Sequence, residues 1–230
     1  MVDFSHSHHT KKRASCYNTT KENNQESTPM IEIEQRYKIV APDVTIAQLA
    51  EYGATLTGKK HVIDEWFTPT YVHSQADEED WFDAKHGLAY RIRRVEKADG
   101  SWDTLLDTKQ LTEDSNHNTF KEEIIMRDDE AAMRSLLEEK NYYNWLTIDK
   151  QRYSFASPDP ELIITMDTIV GVQEALGLDT VLEIEYAGDA PRDQALEKLA
   201  SFAETLDLAP ELLFEKSLTV ESMRVLARFK

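Results

Sequence analysis

From residue 31 onward the chain alternates apolar with charged residues in one short segment after another. In Ile31-Glu32-Ile33-Glu34-Gln35-Arg36-Tyr37-Lys38-Ile39, one set of positions carries Glu32, Glu34, Arg36 and Lys38, and the other carries Ile31, Ile33, Tyr37 and Ile39. Side chains along a strand point to opposite faces in turn, so this segment reads as a strand with one charged and one apolar face. The same criterion predicts strands over 31–40, 61–68, 87–96, 102–111, 120–127, 147–155, 162–169 and 180–186. Apolar spacing of three and four predicts helices over 43–52, 128–140, 191–206 and 220–229, the first two opened by Asp43 and Asp128. A strand-rich chain with a few helices and no internal repeat is a strand-dominated α+β domain, a barrel or a sandwich.

Two stretches depart from this pattern. Residues 1–29 are polar, rich in Ser, Thr, Asn and His, and show neither period, which reads as a disordered tail ahead of one folded domain over 30–230. Residues 71–86 form a long connection with the acidic run Asp77, Glu78, Glu79 and Asp80, which reads as a solvated loop without chemistry.

Composition narrows the function. The chain has 230 residues, 40% hydrophobic and 30% charged, which is globular composition. It lacks the ~18-residue apolar run of a membrane span and any signal-peptide pattern, so a soluble, cytoplasmic protein is expected. Its one cysteine, Cys16, excludes an intrachain disulfide and a multi-cysteine zinc site. With 26 basic against 43 acidic residues the net charge is -17, which argues against nucleic-acid and membrane partners. Any polyanion has to be caught by a local basic cluster.

Such clusters exist on the charged strand faces. Arg91 and Arg93 alternate on one segment, Lys150 and Arg152 on another, and Lys109 ends a third. Lys121 precedes Glu122 and Glu123, and the pattern leaves open which of the two acids faces inward; Lys216 follows the last long helix. Glu183 and Glu185 form a second acidic pair opposite Leu182, Ile184 and Tyr186, and Asp167 ends an apolar segment. A sheet with one face in water explains any single strand of this kind. Repetition over many strands, with acids at the two ends of the series and bases between, points instead to a charged lumen. A closed eight-stranded sheet encloses about one small ligand, and buried charges require partners. Clustered carboxylates are hard oxygen ligands for Mg2+ or Mn2+, while Arg and Lys neutralise phosphate oxygens. The phosphate-binding glycine loops and the His-Glu-x-x-His zinc motif are absent.

These residues resemble the CYTH family of triphosphate tunnel metalloenzymes, which includes class IV adenylyl cyclases, thiamine triphosphatases and inorganic triphosphatases. The family's N-terminal Glu-x-Glu-x-Lys is matched by Glu32-Ile33-Glu34-Gln35-Arg36, with Arg in place of Lys. The resemblance continues in order through Asp64-Glu65-Trp66-Phe67, Tyr90-Arg91-Ile92-Arg93, Thr108-Lys109, Lys121-Glu122-Glu123, Lys150-Gln151-Arg152, Met166-Asp167, Glu183-Ile184-Glu185 and Lys216-Ser217. It implies an eight-stranded antiparallel β-barrel tunnel with flanking helices. In that tunnel Glu32, Glu34, Asp167, Glu183 and Glu185 gather Mg2+ or Mn2+, and Arg36, Lys38, Arg91, Arg93, Lys109, Lys121, Lys150, Arg152 and Lys216 hold a small-molecule triphosphate. Glu32, Glu34, Arg36 and Glu185 are the implied catalytic set. The implied activity is metal-dependent hydrolysis of an inorganic or organic triphosphate, in a monomer or homodimer. The alternatives are an adenylyl cyclase, which forms cyclic AMP and pyrophosphate on the same lining, and a non-catalytic nucleotide or polyphosphate binder. Against the binder, a purely anion-binding lumen gains nothing from carboxylates beside the phosphates. An ordinary barrel with outward charges would instead turn Ile31, Ile33, Tyr37, Leu182 and Ile184 inward.

Overall fold

A computed structural model of the chain describes residues 30–112, 118–171, 180–214, 216 and 218–230; the expected tail over 1–29 lies outside them. The described chain builds strands β1 (Met30–Ile39), β2 (Thr55–Pro69), β3 (Ala89–Glu96), β4 (Trp102–Leu111), β5 (Thr119–Arg127), β6 (Tyr142–Ala156), β7 (Leu162–Ile169) and β8 (Thr180–Tyr186). They pair antiparallel in the order β1-β5-β4-β3-β2-β6-β7-β8, and β8 returns to β1 to close the barrel. Closure leaves no sheet edge and creates an inside for one face of every strand.

The apolar faces point outward. Ile33, Tyr37, Leu182 and Ile184 pack in one buried cluster with Leu199 and Phe202 of the helix Arg192–Thr205, which we call α4. The ordinary barrel with an apolar lumen is therefore excluded. On the opposite wall Tyr90, Ile92 and Leu106 bury Met133 and Leu137 of α3 (Glu130–Glu139). Asp129 caps α3, its side chain accepting from the Ala132 backbone N–H. α1 (Pro42–Tyr52) has Pro at its first turn and ends on Gly53 at φ 98°, the left-handed C-cap conformation that favours glycine.

Two strands run longer than alternation predicts. β2 begins at Thr55, where the chain is exposed on both faces and carries no apolar alternation to read. β6 begins at Tyr142, within an aromatic run whose period is broken by a bulge: Trp66 pairs with Leu146 and Phe67 with Asn144, so Trp145 is the extra residue. A bulge re-aims the side chain it carries, and Trp145 faces the lumen.

The larger correction concerns residues 71–86. Ser74 caps a short helix, α2 (Gln75–Glu78), by accepting from the Asp77 N–H, and the chain continues as a π-helical turn over Glu79–Ala84. Acids in a first helical turn are electrostatically favoured there. Glu78, Trp81 and Phe82 are buried by this segment, which packs against one end of the barrel. With Leu218 and Met223 of α5 (Leu218–Leu226), Trp81 and Phe82 close that end in a cluster containing Trp66, Phe120 and Trp145. Among the described residues, no helix is long and apolar enough to cross a membrane.

Candidate active site: a charged tunnel with an aromatic floor

The lumen is lined by Glu32, Glu34 and Arg36 of β1, Asp64 of β2, Arg91 and Arg93 of β3, and Lys109 of β4. Glu122 of β5, Lys150 and Arg152 of β6, and Glu183 and Glu185 of β8 complete the charged lining. The open question between Glu122 and Glu123 is thereby answered for Glu122.

Strand register explains how so many charges coexist. Neighbouring strands place opposite charges directly across from one another: Arg36 beside Glu183, Arg93 beside Asp64, Arg91 beside Asp107, Lys109 beside Glu122 and Arg152 beside Asp167. Cross-strand pairs of opposite charge support each other. Arg93 forks Asp64 with Nε at 2.6 Å and Nη2 at 2.8 Å, and Lys150 adds a contact at 3.1 Å. Arg91 forks Asp107 at 3.0 and 2.6 Å, reaches Glu122 at 3.0 Å, and lies 5.2 Å above the Trp66 ring. Arg36 donates to Glu183 at 2.8 Å and also pairs with Glu34. Lys109 sits 2.6 Å from Glu32.

Protonation follows this layout. Burial works to raise the Asp64 carboxyl, yet Arg93 and Lys150 outweigh it and hold the group well below the usual carboxylate range. Burial likewise opposes ionisation of Glu32, but Lys109 and a hydrogen bond from Glu122 bring it down to about 2. Glu185 goes the other way: burial and the neighbouring Glu32, Glu183 and Glu34 push it up to about 7. Burial and Arg152 depress the Lys150 ammonium.

Two relationships break the opposite-charge rule. Glu34 faces Glu185 across the β1–β8 ladder, and Lys60, exposed at the rim, faces Arg152 across the β2–β6 ladder. Among the described residues no cationic side chain lies within ion-pair distance of Glu185. Facing carboxylates repel unless a cation lies between them, so the donor set formed by Glu34, Glu185, Glu32 and Glu183 suits a hard divalent cation. As the side chains stand, no three acidic, His or Cys side chains of the described residues close on one point. The lumen has only about 80 Å3 of free volume. Its guanidinium and ammonium donors are held by carboxylates.

Several sequence-predicted residues stand elsewhere. Asp167 is 1% exposed, and Arg152 (2.7 and 2.6 Å) and Lys150 (2.9 Å) occupy its oxygens, so it orients cations rather than joining the Glu34–Glu185 group. Lys121 is exposed on the outer face of β5, because the tunnel-facing register belongs to Phe120 and Glu122. Lys38 shares the parity of Arg36 but is exposed, with its ammonium 5.4 Å from the Phe214 ring. Lys216 is half-buried and pairs with Asp83 of the capping segment at 3.4 Å, outside the tunnel lining. Sequence reasoning missed Asp107, which shows its pairing only when β3 and β4 are in register, and Glu78, hidden in the acidic run.

No protein-family model and no curated protein matches the sequence. Solved structures do match. A Pyrococcus horikoshii protein superposes with TM-score 0.62 at 15% identity, covering 83% of this chain and 98% of its own. A second protein from that organism gives 0.60 at 21% identity, covering 81% and 94%. A "putative adenylate cyclase" from Vibrio parahaemolyticus gives 0.62 at 17% identity, covering 84% and 98%. The chain has the closed eight-stranded fold of these proteins, the α+β tunnel fold that its resemblance to the CYTH family implies.

Proposed function

We propose that the chain is a triphosphate tunnel enzyme of the CYTH type, a divalent-metal-dependent triphosphatase. The observation that carries this reading is the gathering of Arg36, Arg91, Arg93, Lys109, Lys150 and Arg152 in one lumen with the facing carboxylates Glu34 and Glu185. Phosphoryl transfer is mostly positioning and charge neutralisation, so this lining needs no protein nucleophile. Arg91 and Arg93, forked by Asp107 and Asp64, hold fixed guanidinium planes against phosphate oxygens. Lys109 and Lys150 add point charges, and Arg36 joins the phosphate-binding side of the lumen to the carboxylates. Glu34 and Glu185, with Glu32 and Glu183, would hold Mg2+ or Mn2+, which when bound neutralises phosphate charge and activates water. The buried lining excludes bulk solvent from the attacked phosphorus, so the electrostatic contacts act at low dielectric.

The Vibrio neighbour's description supports a second reading, an adenylyl cyclase, because the same lining would hold ATP. Product analysis separates the two. The protein is incubated with tripolyphosphate or ATP, each with Mg2+, Mn2+ or EDTA. Orthophosphate released from tripolyphosphate, and abolished by EDTA, is the expected result. Cyclic AMP with pyrophosphate from ATP would establish the cyclase, and no product from either substrate would leave a binder.

A further inference from the structure

The two ends of the tunnel are unlike. One is floored by Trp66, Trp145 and Phe120 and closed by the capping segment and α5. At the other, β2 continues past the charged lining, with Lys59 and Lys60 exposed. Lys60 shares the inward parity of Asp64 and Trp66 and lies four residues beyond Asp64, about 13 Å along the strand. A cleft of about 370 Å3 opens there, between β2 and the turn that joins β3 to β4, lined by Lys59, Lys60, His61, Glu96, Lys97 and Asp103.

The charges of this cleft leave one cation over. Lys97 holds Asp103 at 2.5 Å, and His61 lies between Asp149 (2.8 Å) and Glu96 (3.6 Å). The Lys59 ammonium lies 5.0 Å from the Tyr153 ring. Lys60 has no ion pair among the described residues, and its cross-strand neighbour is Arg152 of the tunnel lining, a like charge. Facing cations repel, and an anion between them makes the contact favourable. The position matters because the chain as a whole, at a net charge of -17, repels polyanions. At physiological ionic strength fields decay over about 8 Å, so the nearest unpaired cations govern the approach to the tunnel and the distant acids do not. Lys60, with Lys59 beside it, supplies those cations.

We propose that this cleft is a docking site for the polyanion, in which Lys60 captures the ligand from solvent and delivers it to Arg152 at the open mouth of the tunnel. This deepens the proposed function and rests on it: the tunnel cations hold the bound ligand, and the rim sets how fast it arrives. The cleft reads charge, so it acts on the association rate and not on which triphosphate is accepted.

The test follows association of inorganic tripolyphosphate with the full chain by stopped-flow tryptophan fluorescence, with calorimetry for the affinity, each in Mg2+ and in EDTA. Lys60→Met is expected to lower the association rate constant about three- to tenfold at low salt and to flatten its dependence on ionic strength, with the dissociation rate constant nearly unchanged. Lys60→Glu should lower it further. Lys140→Met makes the same change of net charge at the exposed C-cap of α3, outside the cleft, and should leave the association rate nearly unchanged. Wild-type association kinetics in Lys60→Met, or equal slowing in Lys140→Met, would overturn the docking site while leaving the tunnel reading intact. Absence of calorimetric binding of tripolyphosphate to the wild type in both Mg2+ and EDTA would overturn both. Lys60 and Lys140 are exposed, so these variants test capture without disturbing the barrel core.

Discussion

Glu34 and Glu185 stand directly opposite one another across the β1–β8 ladder, two carboxylates at a position where the neighbouring pair, Arg36 and Glu183, is of opposite charge. Such a contact destabilises the barrel on its own and becomes favourable when a divalent cation lies between the strands. Glu185→Gln is therefore expected to stabilise the metal-free protein by about 1 kcal/mol, a rise of roughly 2–4 °C in Tm. If the tunnel works as proposed, the same variant should lose both the stabilisation expected from millimolar Mg2+ or Mn2+ and the proposed triphosphatase activity. Calorimetric melts of both proteins with metal and with EDTA check this. A lower Tm combined with an undiminished metal shift would show that the Glu34–Glu185 pair is structural.

Asp64 is the hub of the opposite wall, buried beneath Arg93 and Lys150. Removing one member of a buried ion pair strands the other, at about 3–5 kcal/mol, and Asp64→Asn is expected to cost that much. Arg93→Ala leaves Lys150 to compensate Asp64 and should cost less, about 1–3 kcal/mol, while also weakening triphosphate binding. The pH dependence has a definite sign. Because the folded pKa of Asp64 is depressed, its contribution is full above the unfolded value near 3.9 and disappears as pH falls through the lower folded value. Denaturant titrations between pH 7 and 2.5 should show the wild type losing stability below about pH 4 more steeply than Asp64→Asn.

Much of this lumen was legible in the sequence, because period-two alternation fixes which side chains share a face. The inward set Glu32, Glu34, Arg36, Arg91, Arg93, Lys150, Arg152, Glu183 and Glu185 follows from parity once the barrel closes. Four kinds of information were not legible. Register decides partners, so that Asp107 answers Arg91 and Asp167 answers Arg152. The rim decides where parity loses its meaning, and so Lys38 shares the face of Arg36 yet is exposed. Tertiary burial overrides composition, and so an acidic run that reads as solvent-facing places Glu78 at 1% exposure beneath the barrel. The bulge at Trp145 belongs with these, since one extra residue breaks the period on which the reading depends.

Asp107 positions Arg91, to which the proposed function assigns the phosphates, without lining the lumen itself. It holds the Arg91 guanidinium by two hydrogen bonds, in a plane above the Trp66 ring. Asp107→Asn keeps the size of the side chain but removes the charge and one acceptor. The expected outcome is a rise of about tenfold in KM for the triphosphate with a smaller change in kcat, because Arg91 remains present but less well oriented. Arg91→Lys should be no less damaging, since an ammonium cannot replace the fork. Steady-state kinetics on tripolyphosphate provide the check, and an unchanged KM in the Asp107 variant would show that Arg91 is held adequately by Glu122 and Trp66.

Gly87 sets how closely the capping segment approaches the barrel. A Cβ at this position would fall 2.2 Å from Trp81 Nε1 and 2.5 Å from its Cε2, well inside contact distance. The Gly87 backbone N–H also donates to the Trp81 carbonyl at 2.8 Å, so the two residues cannot simply move apart. Gly87→Ala must therefore push the indole into the floor of the tunnel or lift the segment carrying Glu78 and Trp81. Overpacking of this kind costs about 1–3 kcal/mol, equivalent to roughly 2–12 °C in Tm for a chain of this size. Near-ultraviolet circular dichroism should report the displaced Trp81, while far-ultraviolet spectra stay unchanged because the barrel ladders lie outside the contact. A native near-ultraviolet spectrum and Tm in Gly87→Ala would mean that the cap rides loosely on the barrel and that Trp81 is free to give way.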